Sequence, residues 1–223
     1  MKLLAIDSAT EACSAALLLD GEVQECFEVI GRGHAGRLLP MVDELLKEAR
    51  LTTADLNAIA FGRGPGGFTG LRIAAGIAQG LAAGSGRRVL PVSNLAAVAA
   101  AAKRSAGVER VLVCMDARMG QVYWAAFDCS GALPVAVTDE RLSDPAGVSP
   151  PGEAAWFGAG HGFGNYPALE ARLASRLGGV DPSILPRASD IARIAAVDLA
   201  EGRGLDASRA LPVYLRNDVV HKR

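Results

Sequence analysis

A hydrophobic strand that ends in aspartate, followed by two more strands joined through a tight turn, occurs twice in this chain. Lys2-Leu3-Leu4-Ala5-Ile6-Asp7 leads into an apolar run from Cys13 to Leu19, the turn Asp20-Gly21 and a third run from Val23 to Ile30. Val111-Leu112-Val113-Cys114-Met115-Asp116 leads into Gln121 to Asp128, the turn Ser130-Gly131 and Leu133 to Thr138. The two aspartates and the two turn glycines keep the same interval to within one residue. Three features repeated in one order point to a duplicated β-meander unit. Asp20-Gly21 reads as a two-residue hairpin turn, which sets Leu19 opposite Glu22 and Cys13 opposite Glu28. That register keeps Cys13 and Cys26 from bridging. With Cys114 and Cys129 they show no CxxC spacing, which excludes zinc knuckles and thioredoxin chemistry and favours buried, reduced thiols.

Half of the 223 residues are apolar and 21% are charged, enough to build sizeable cores. The net charge of −1 gives the molecule no overall field with which to grip nucleic acid. Asp7 interrupts the first apolar stretch too early for a cleavable leader. The small-apolar stretch from Ile73 to Ala83 contains Gln79 and is shorter than the ~18 residues of a membrane span. A soluble, cytoplasmic protein without membrane contact is expected.

Between the meanders, Leu38, Leu39, Val42, Leu45, Leu46 and Ala49 recur at helical spacing, with Pro40 tolerable only near the first turn. Asn57 to Phe61 reads as a short buried strand. It feeds the loop Gly62-Arg63-Gly64-Pro65-Gly66-Gly67 and a helix from about Phe68 to Ala83, closed by Gly84 and Gly86. Val89 to Val92 is another strand, and Ser93 is a suitable N-cap for an alanine-rich helix reaching Ser105. The second copy diverges after its strands. Ala154 to Phe157, a turn from Gly158 to Gly164, helices over about Pro167–Leu177 and Ser189–Leu199, and an extended Pro212 to Arg216 follow. Two lobes, 1–107 and 108–223, are expected.

Gly62-x-Gly64-x-x-Gly67 matches the dinucleotide fingerprint, yet no Asp or Glu occurs from Leu56 to Val108 to hold a ribose. Walker A fails for want of Gly-Lys-Ser/Thr. The same interval carries Arg63, Arg72, Arg87, Arg88, Lys103 and Arg104, a locally positive stretch. One reading is a phosphate- or RNA-facing loop, because amides opening a helix hold anions. The other is a sharp turn with close helix packing. Both stay open. The helix after the loop bears small residues: Gly70, Ala74, Ala75, Ala78, Ala82 and Ala83, with Gly76 and Gly80 on one side. Such a surface admits another helix at short range, so part of it is a candidate docking face beside Leu38, Val42 and Leu45; a core role is the alternative.

Catalytic equipment is sparse. His34, His161 and His221 form no HxxxH or HExxH pair, and no GxSxG elbow occurs. His34 reads as a loop or helix-start residue rather than a metal ligand, and His161 as a ligand-facing or plain turn residue. Asp7 and Asp116 could position a magnesium-bound nucleotide or satisfy the amides of their own turns.

Two lobes of this kind resemble the fold shared by actin, sugar kinases and heat-shock ATPases (ASKHA): α/β, from a duplicated βββαβαβα unit whose second copy has diverged. LLAIDSATEACSAAL, HAGRLLPMVDELL, FGRGPGGFTGLRIAAGIAQGLA, PVSNLAAVA, DARMGQVYWA and PVYLR together resemble the TsaB (YeaZ) family, essentially end to end. GPGG in place of the more usual GPGS removes one hydroxyl. The resemblance implies a non-catalytic paralogue of TsaD, the subunit that transfers threonylcarbamoyl from threonylcarbamoyl-AMP, supplied by TsaC, to N6 of adenosine 37 in tRNA. TsaD carries a metal-binding HxxxH where this chain has His34-Ala35-Gly36-Arg37-Leu38, so a pseudo-enzyme with no catalytic or metal-ligating residue is implied. ATP or ADP and the metal belong to the partner subunits, and this chain needs no cofactor.

Pairing with TsaD through the first two helices of the N-terminal lobe is implied, with TsaE joining the pair and tRNA reached through the complex. The residues assigned to that interface are His34, Leu38, Leu39, Val42, Leu45, Phe68, Leu71 and Ala75. Candidate anion or nucleotide contacts are Asp7, Gly64, Gly66, Gly67, Thr69 and Asp116. Val42→Asp is expected to abolish pairing while the monomer stays folded. A third reading is a self-associating module, in which the same face makes a homodimer when the partner is missing. The runner-up is an ATP-binding phosphotransferase or ATPase acting alone through Asp7 and Asp116; a metallopeptidase is disfavoured by the missing histidine pair.

Overall fold

The structure is a computed structural model that describes residues 1–216; His221 lies outside the described residues. Two compact units are formed, one from Met1–Ala97 with Leu185–Pro212, the other from Val98–Ile184 with the segment that begins at Val213.

The first unit is built on a five-stranded sheet. Its strands are β1 (Lys2–Asp7), β2 (Ala12–Leu19), β3 (Glu22–Val29), β4 (Ala58–Gly64) and β5 (Arg88–Ser93), in the order β3-β2-β1-β4-β5. The first three strands are antiparallel, and β4 and β5 run parallel to β1. Leu19 pairs with Glu22 and Cys13 with Glu28, as the Asp20-Gly21 turn predicts. Leu3 to Asp7 are all buried, the continuous apolar pattern of a central strand covered on both faces.

One face receives α1 (His34–Glu48) and α2 (Phe68–Ser85): Leu4, Ile6, Cys13, Leu17, Ile59 and Phe61 pack with Leu38, Met41, Val42, Leu45 and Ala75. Pro40 lies inside α1, nearly two turns from its start, and not in the first turn as its chemistry suggests. With no N–H to give, it leaves the Gly36 carbonyl without its usual helical partner.

The opposite face exposes Leu3, Ala5, Ala16, Leu18, Ala58, Ala60, Leu90 and Val92, and a helix from late in the chain covers it. That helix, Ala188–Ala200, brings Ala188, Ile191, Ala192 and Ala195 onto these residues. The division at residue 107 therefore does not hold. An apolar sheet face must be buried, and the chain returns after Ile184 to do it. The boundary between the units falls inside α3 (Asn94–Ala106), whose first turn is capped as expected: the Ala96 amide donates to Ser93 Oγ at 3.1 Å.

The second unit repeats the meander with β6 (Arg110–Arg118), β7 (Gln121–Asp128) and β8 (Val135–Ala136), and adds β9 (Arg141–Ser143), β10 (Trp156–Ala159) and β11 (Leu177–Asp181). The order is β11-β10-β6-β7-β8, with β9 also on β7. The expected strand Leu133–Thr138 shrinks to Val135–Ala136, because Pro134 cannot donate to a ladder. Two short helices, α4 (Gly162–Asn165) and α5 (Pro167–Leu173), precede β11; the late helix described above is α6. The expected helix to Leu177 ends at Leu173, and Leu177–Asp181 pairs parallel with β10. Gly179 faces the Phe157 ring so closely that a Cβ would sit 3.3 Å from it. Pro212 to Arg216 carries neither helix nor strand, but Arg216 Nη2 donates to the Ala117 carbonyl at 3.0 Å. No described helix is long and apolar enough to cross a membrane.

Candidate functional site

Asp7 ends β1 with no solvent exposure. Its Oδ1 accepts from Asn94 Nδ2 at 2.6 Å and its Oδ2 from the Ala9 amide at 3.3 Å. Asn94 Oδ1 in turn accepts from the Gly64 amide at 2.7 Å. A Cβ on Gly62 would collide with Asp7 Oδ1 and stand 2.6 Å from Asn94 Nδ2, so only glycine fits beneath this pair. Burial pushes the Asp7 carboxyl up to about 7, against the opposing pull of Asn94 and the Ala9 and Ser8 amides.

The rest of the glycine loop is pressed onto the turn after β1. The Gly67 amide donates to Ala9 O at 2.7 Å, and Ser8 Oγ donates to Gly70 O at 2.8 Å. A Cβ on Gly66 would lie 2.6 Å from Ala9 O, and one on Gly70 would collide with Ser8 O. These contacts favour the close-packing reading. The Gly64 and Gly67 amides are spent inside the chain, while Thr69 lies exposed on the first turn of α2. The fold class raises a magnesium-bound nucleotide as the group Asp7 would face. The residues do not fit one: both carboxylate oxygens already accept hydrogen bonds, and the group is sealed.

Asp116, the matching residue of the second unit, has a different environment. Oδ1 accepts from the Arg118 amide at 2.8 Å and Tyr166 Oη at 2.9 Å, and Oδ2 from Asn165 Nδ2 at 3.0 Å. Burial raises its carboxyl, but the Arg118 amide, Tyr166, Asn165 and the Arg118 guanidinium outweigh it, and the net shift is downward. One copy of the duplicated aspartate is held toward the neutral acid and the other as an anion. Asp116 is held by its own turn and by Asn165 and Tyr166 of the same unit.

The helical interface implied by the resemblance is only partly exposed. Leu38, Val42, Leu45, Leu71 and Ala75 are buried in the monomer, which corrects their assignment to a docking face. The stripe Leu38, Val42, Leu45 is the one that faces the sheet, as a helix lying on a strand layer requires. Val42→Asp would therefore place an unpaired carboxylate in the monomer core. Leu39 and Phe68, 47% and 45% exposed, do stand on the surface of α1 and α2. Gly36, Gly76 and Gly80 are exposed as well, with no atom within 4 Å of where a Cβ would sit, so packing within the chain does not require them to be glycine. His34 opens α1 nearly buried, and its Nε2 has no hydrogen-bond partner among the described residues.

The positive stretch is largely spoken for. Arg88 pairs with Asp206, Arg87 Nη2 donates to Ala54 O at 2.7 Å, Arg72 lies 3.9 Å over the Phe68 ring, and Lys103 donates to Gly131 O. Lys103 and Arg104 also belong to the second unit. Among the described residues no three His, Cys, Asp or Glu side chains gather as a metal site. Asn94 is the residue that sequence reasoning missed. It follows the Ser93 cap, and its partners Asp7 and Gly64 lie 87 and 30 positions away, beyond any local pattern.

Comparison with known proteins decides the family. The TsaB tRNA threonylcarbamoyladenosine biosynthesis protein of Escherichia coli is 42% identical over 236 residues, covering 100% of this chain and 98% of that protein. The Haemophilus influenzae protein of the same name is 37% identical, covering 100% and 97%. The chain belongs to the TsaB (YeaZ) family. The solved structure of YeaZ from Pseudomonas aeruginosa superposes with a TM-score of 0.91 at 47% identity, covering 96% of this chain and 99% of that one. Residues 28–155 also match the family model described as "TsaD: tRNA N6-adenosine threonylcarbamoyltransferase". The TsaB fold is thus the α/β architecture of the ASKHA class, with two mixed sheets.

Proposed function

We propose that this chain is a non-catalytic scaffold and activator in tRNA threonylcarbamoyladenosine synthesis, pairing directly with TsaD. The observation that carries the reading is the place of Leu38. A two-histidine metal clamp on α1 would need its second imidazole at that position, and Leu38 is a fully buried core residue. One imidazole at His34 cannot hold the ion alone. The closure of Asp7 lends further support, since it leaves the strand-end carboxylate out of reach of a substrate.

Pairing uses the exposed side of α1 and α2, with Leu39 and Phe68 as anchors and Gly36, Gly76 and Gly80 letting a partner helix come close. TsaE joins the pair, tRNA is reached through the complex, the nucleotide and metal sit on the partners, and the complex works in the cytoplasm. A small differential affinity for the competent form of TsaD is enough to activate it.

The test is reconstitution. TsaD and TsaE with tRNA, threonylcarbamoyl-AMP and ATP should modify the tRNA only when this chain is added. Threonylcarbamoyl transfer by this chain alone would overturn the reading. Asp7-dependent ATP hydrolysis by the isolated chain would favour the phosphotransferase alternative.

A further inference from the structure

A strand-end carboxylate facing a glycine loop is an arrangement suited to a phosphate and its cation. Loop amides donate to phosphate oxygens, and the carboxylate faces the metal. We propose that Asn94 is a built-in ligand, its carboxamide making from within the chain both contacts that such a phosphate–cation pair would make. A planar carboxamide suits the task because it offers an acceptor and two donors on one rigid group. Asn94 Oδ1 takes the Gly64 N–H at 2.7 Å, where a phosphate oxygen would accept it. Asn94 Nδ2 donates to Asp7 Oδ1 at 2.6 Å, where a cation would stand.

The surroundings are shaped to this substitute. Gly62 is bare where any Cβ would strike both side chains, and the Ala9 amide closes the other Asp7 oxygen. Asn94 and Asp7 are both fully buried. Unlike a metal–phosphate pair, the carboxamide brings no charge, which is consistent with an Asp7 held toward its neutral form.

The loop from Gly64 to Gly67 and the start of α2 are thereby fixed with nothing added. Phe68 follows directly, so the docking end of α2 is ready-made rather than gated by nucleotide. That last consequence rests on the pairing reading; the role of Asn94 does not.

Hydrogen–deuterium exchange on the full chain, without any partner, tests the role of Asn94 separately from pairing. In the wild type, peptides spanning residues 62–71 should exchange at the same rate with or without millimolar magnesium and inorganic phosphate, or magnesium and ATP. Asn94→Ala should speed that exchange about tenfold, the scale of one lost net hydrogen bond, while peptides from β6 and β7 keep their rates. Should Asn94→Ala fail to fold, Asn94→Asp and the swap Asp7→Asn with Asn94→Asp decide the matter. The single change sets two carboxylates against each other and loosens the loop above neutral pH. The swap restores one donor, one acceptor and the Gly64 bond, and so recovers protection. Protection of the wild-type loop by magnesium and phosphate or ATP, unchanged loop exchange in Asn94→Ala, or a swap no better than Asn94→Asp would each overturn the proposal.

Discussion

Arg187 closes on Glu25 across 162 positions of sequence, with Nε at 2.9 Å and Nη2 at 2.7 Å from Oε2. The other carboxylate oxygen accepts the Ser189 amide at 2.9 Å, and the guanidinium lies 3.9 Å over the Phe27 ring. The preceding amide, that of Ala188, donates to Ser14 Oγ at 3.0 Å. α6 is therefore capped by side chains of β2 and β3, not by residues of its own segment. Glu25→Ala removes a charge-assisted cap and should cost about 1–3 kcal/mol in urea unfolding. An unchanged midpoint would mean that apolar contacts alone seat α6.

The N-terminal piece by itself should not fold. Residues 1–107 contain all five strands of the first sheet but none of Ala188, Ile191, Ala192 and Ala195, which cover one face of it. Expressed alone, the fragment should bind hydrophobic dyes and lack a cooperative melting transition. A cooperative melt would show that α6 is dispensable.

Asp7 gives a signed pH prediction. Its carboxyl is raised from 3.8 to about 7 in the folded chain, so the native state holds a proton that the unfolded chain releases. The resulting stability is fully present below about pH 4, falls as pH rises toward 7 and is flat beyond. The loss across that window is on the order of 4 kcal/mol. Asp7→Asn removes the titration and should gain on the wild type as pH rises from 5 to 8. Parallel stability curves for the two proteins would show that Asp7 stays ionised throughout.

On α1 and α2, exposure separates two kinds of variant under the proposed pairing. Leu39→Asp and Phe68→Asp alter surface positions, so the monomer should keep its melting temperature while co-purification with TsaD is lost. Val42→Asp should unfold the monomer itself, because Val42 is only 3% exposed. Gly76→Ala and Gly80→Ala should each stabilise the free monomer by about 0.8–1 kcal/mol through helix propensity, yet weaken pairing. Pairing that survives all four surface changes would place the TsaD contact elsewhere.

Features whose chemistry is local could be read in advance. The Asp20-Gly21 hairpin fixed the register of β2 and β3, and Ser93 announced the start of α3. Helices α1 and α2 were legible, but not which of their sides faces outward. Spacing reveals an apolar stripe without saying whether a sheet or a partner covers it, and Leu38, Val42 and Leu45 turned inward. β11 was hidden because Leu177 continues the helical spacing of α5, and only pairing with β10 draws it into a strand. Asn94 lies within the quoted PVSNLAAVA, but its role was hidden, since it comes from two partners that the fold alone brings to it.

The return of α6 sets an order of assembly on the ribosome. Every strand of the second sheet has been synthesised by Asp181, before Ala188 begins the helix that shields the first. The strands of the first sheet must therefore wait, one greasy side bare, until α6 itself has emerged. Nascent chains stalled between these two points are where chaperone capture or misassociation should concentrate.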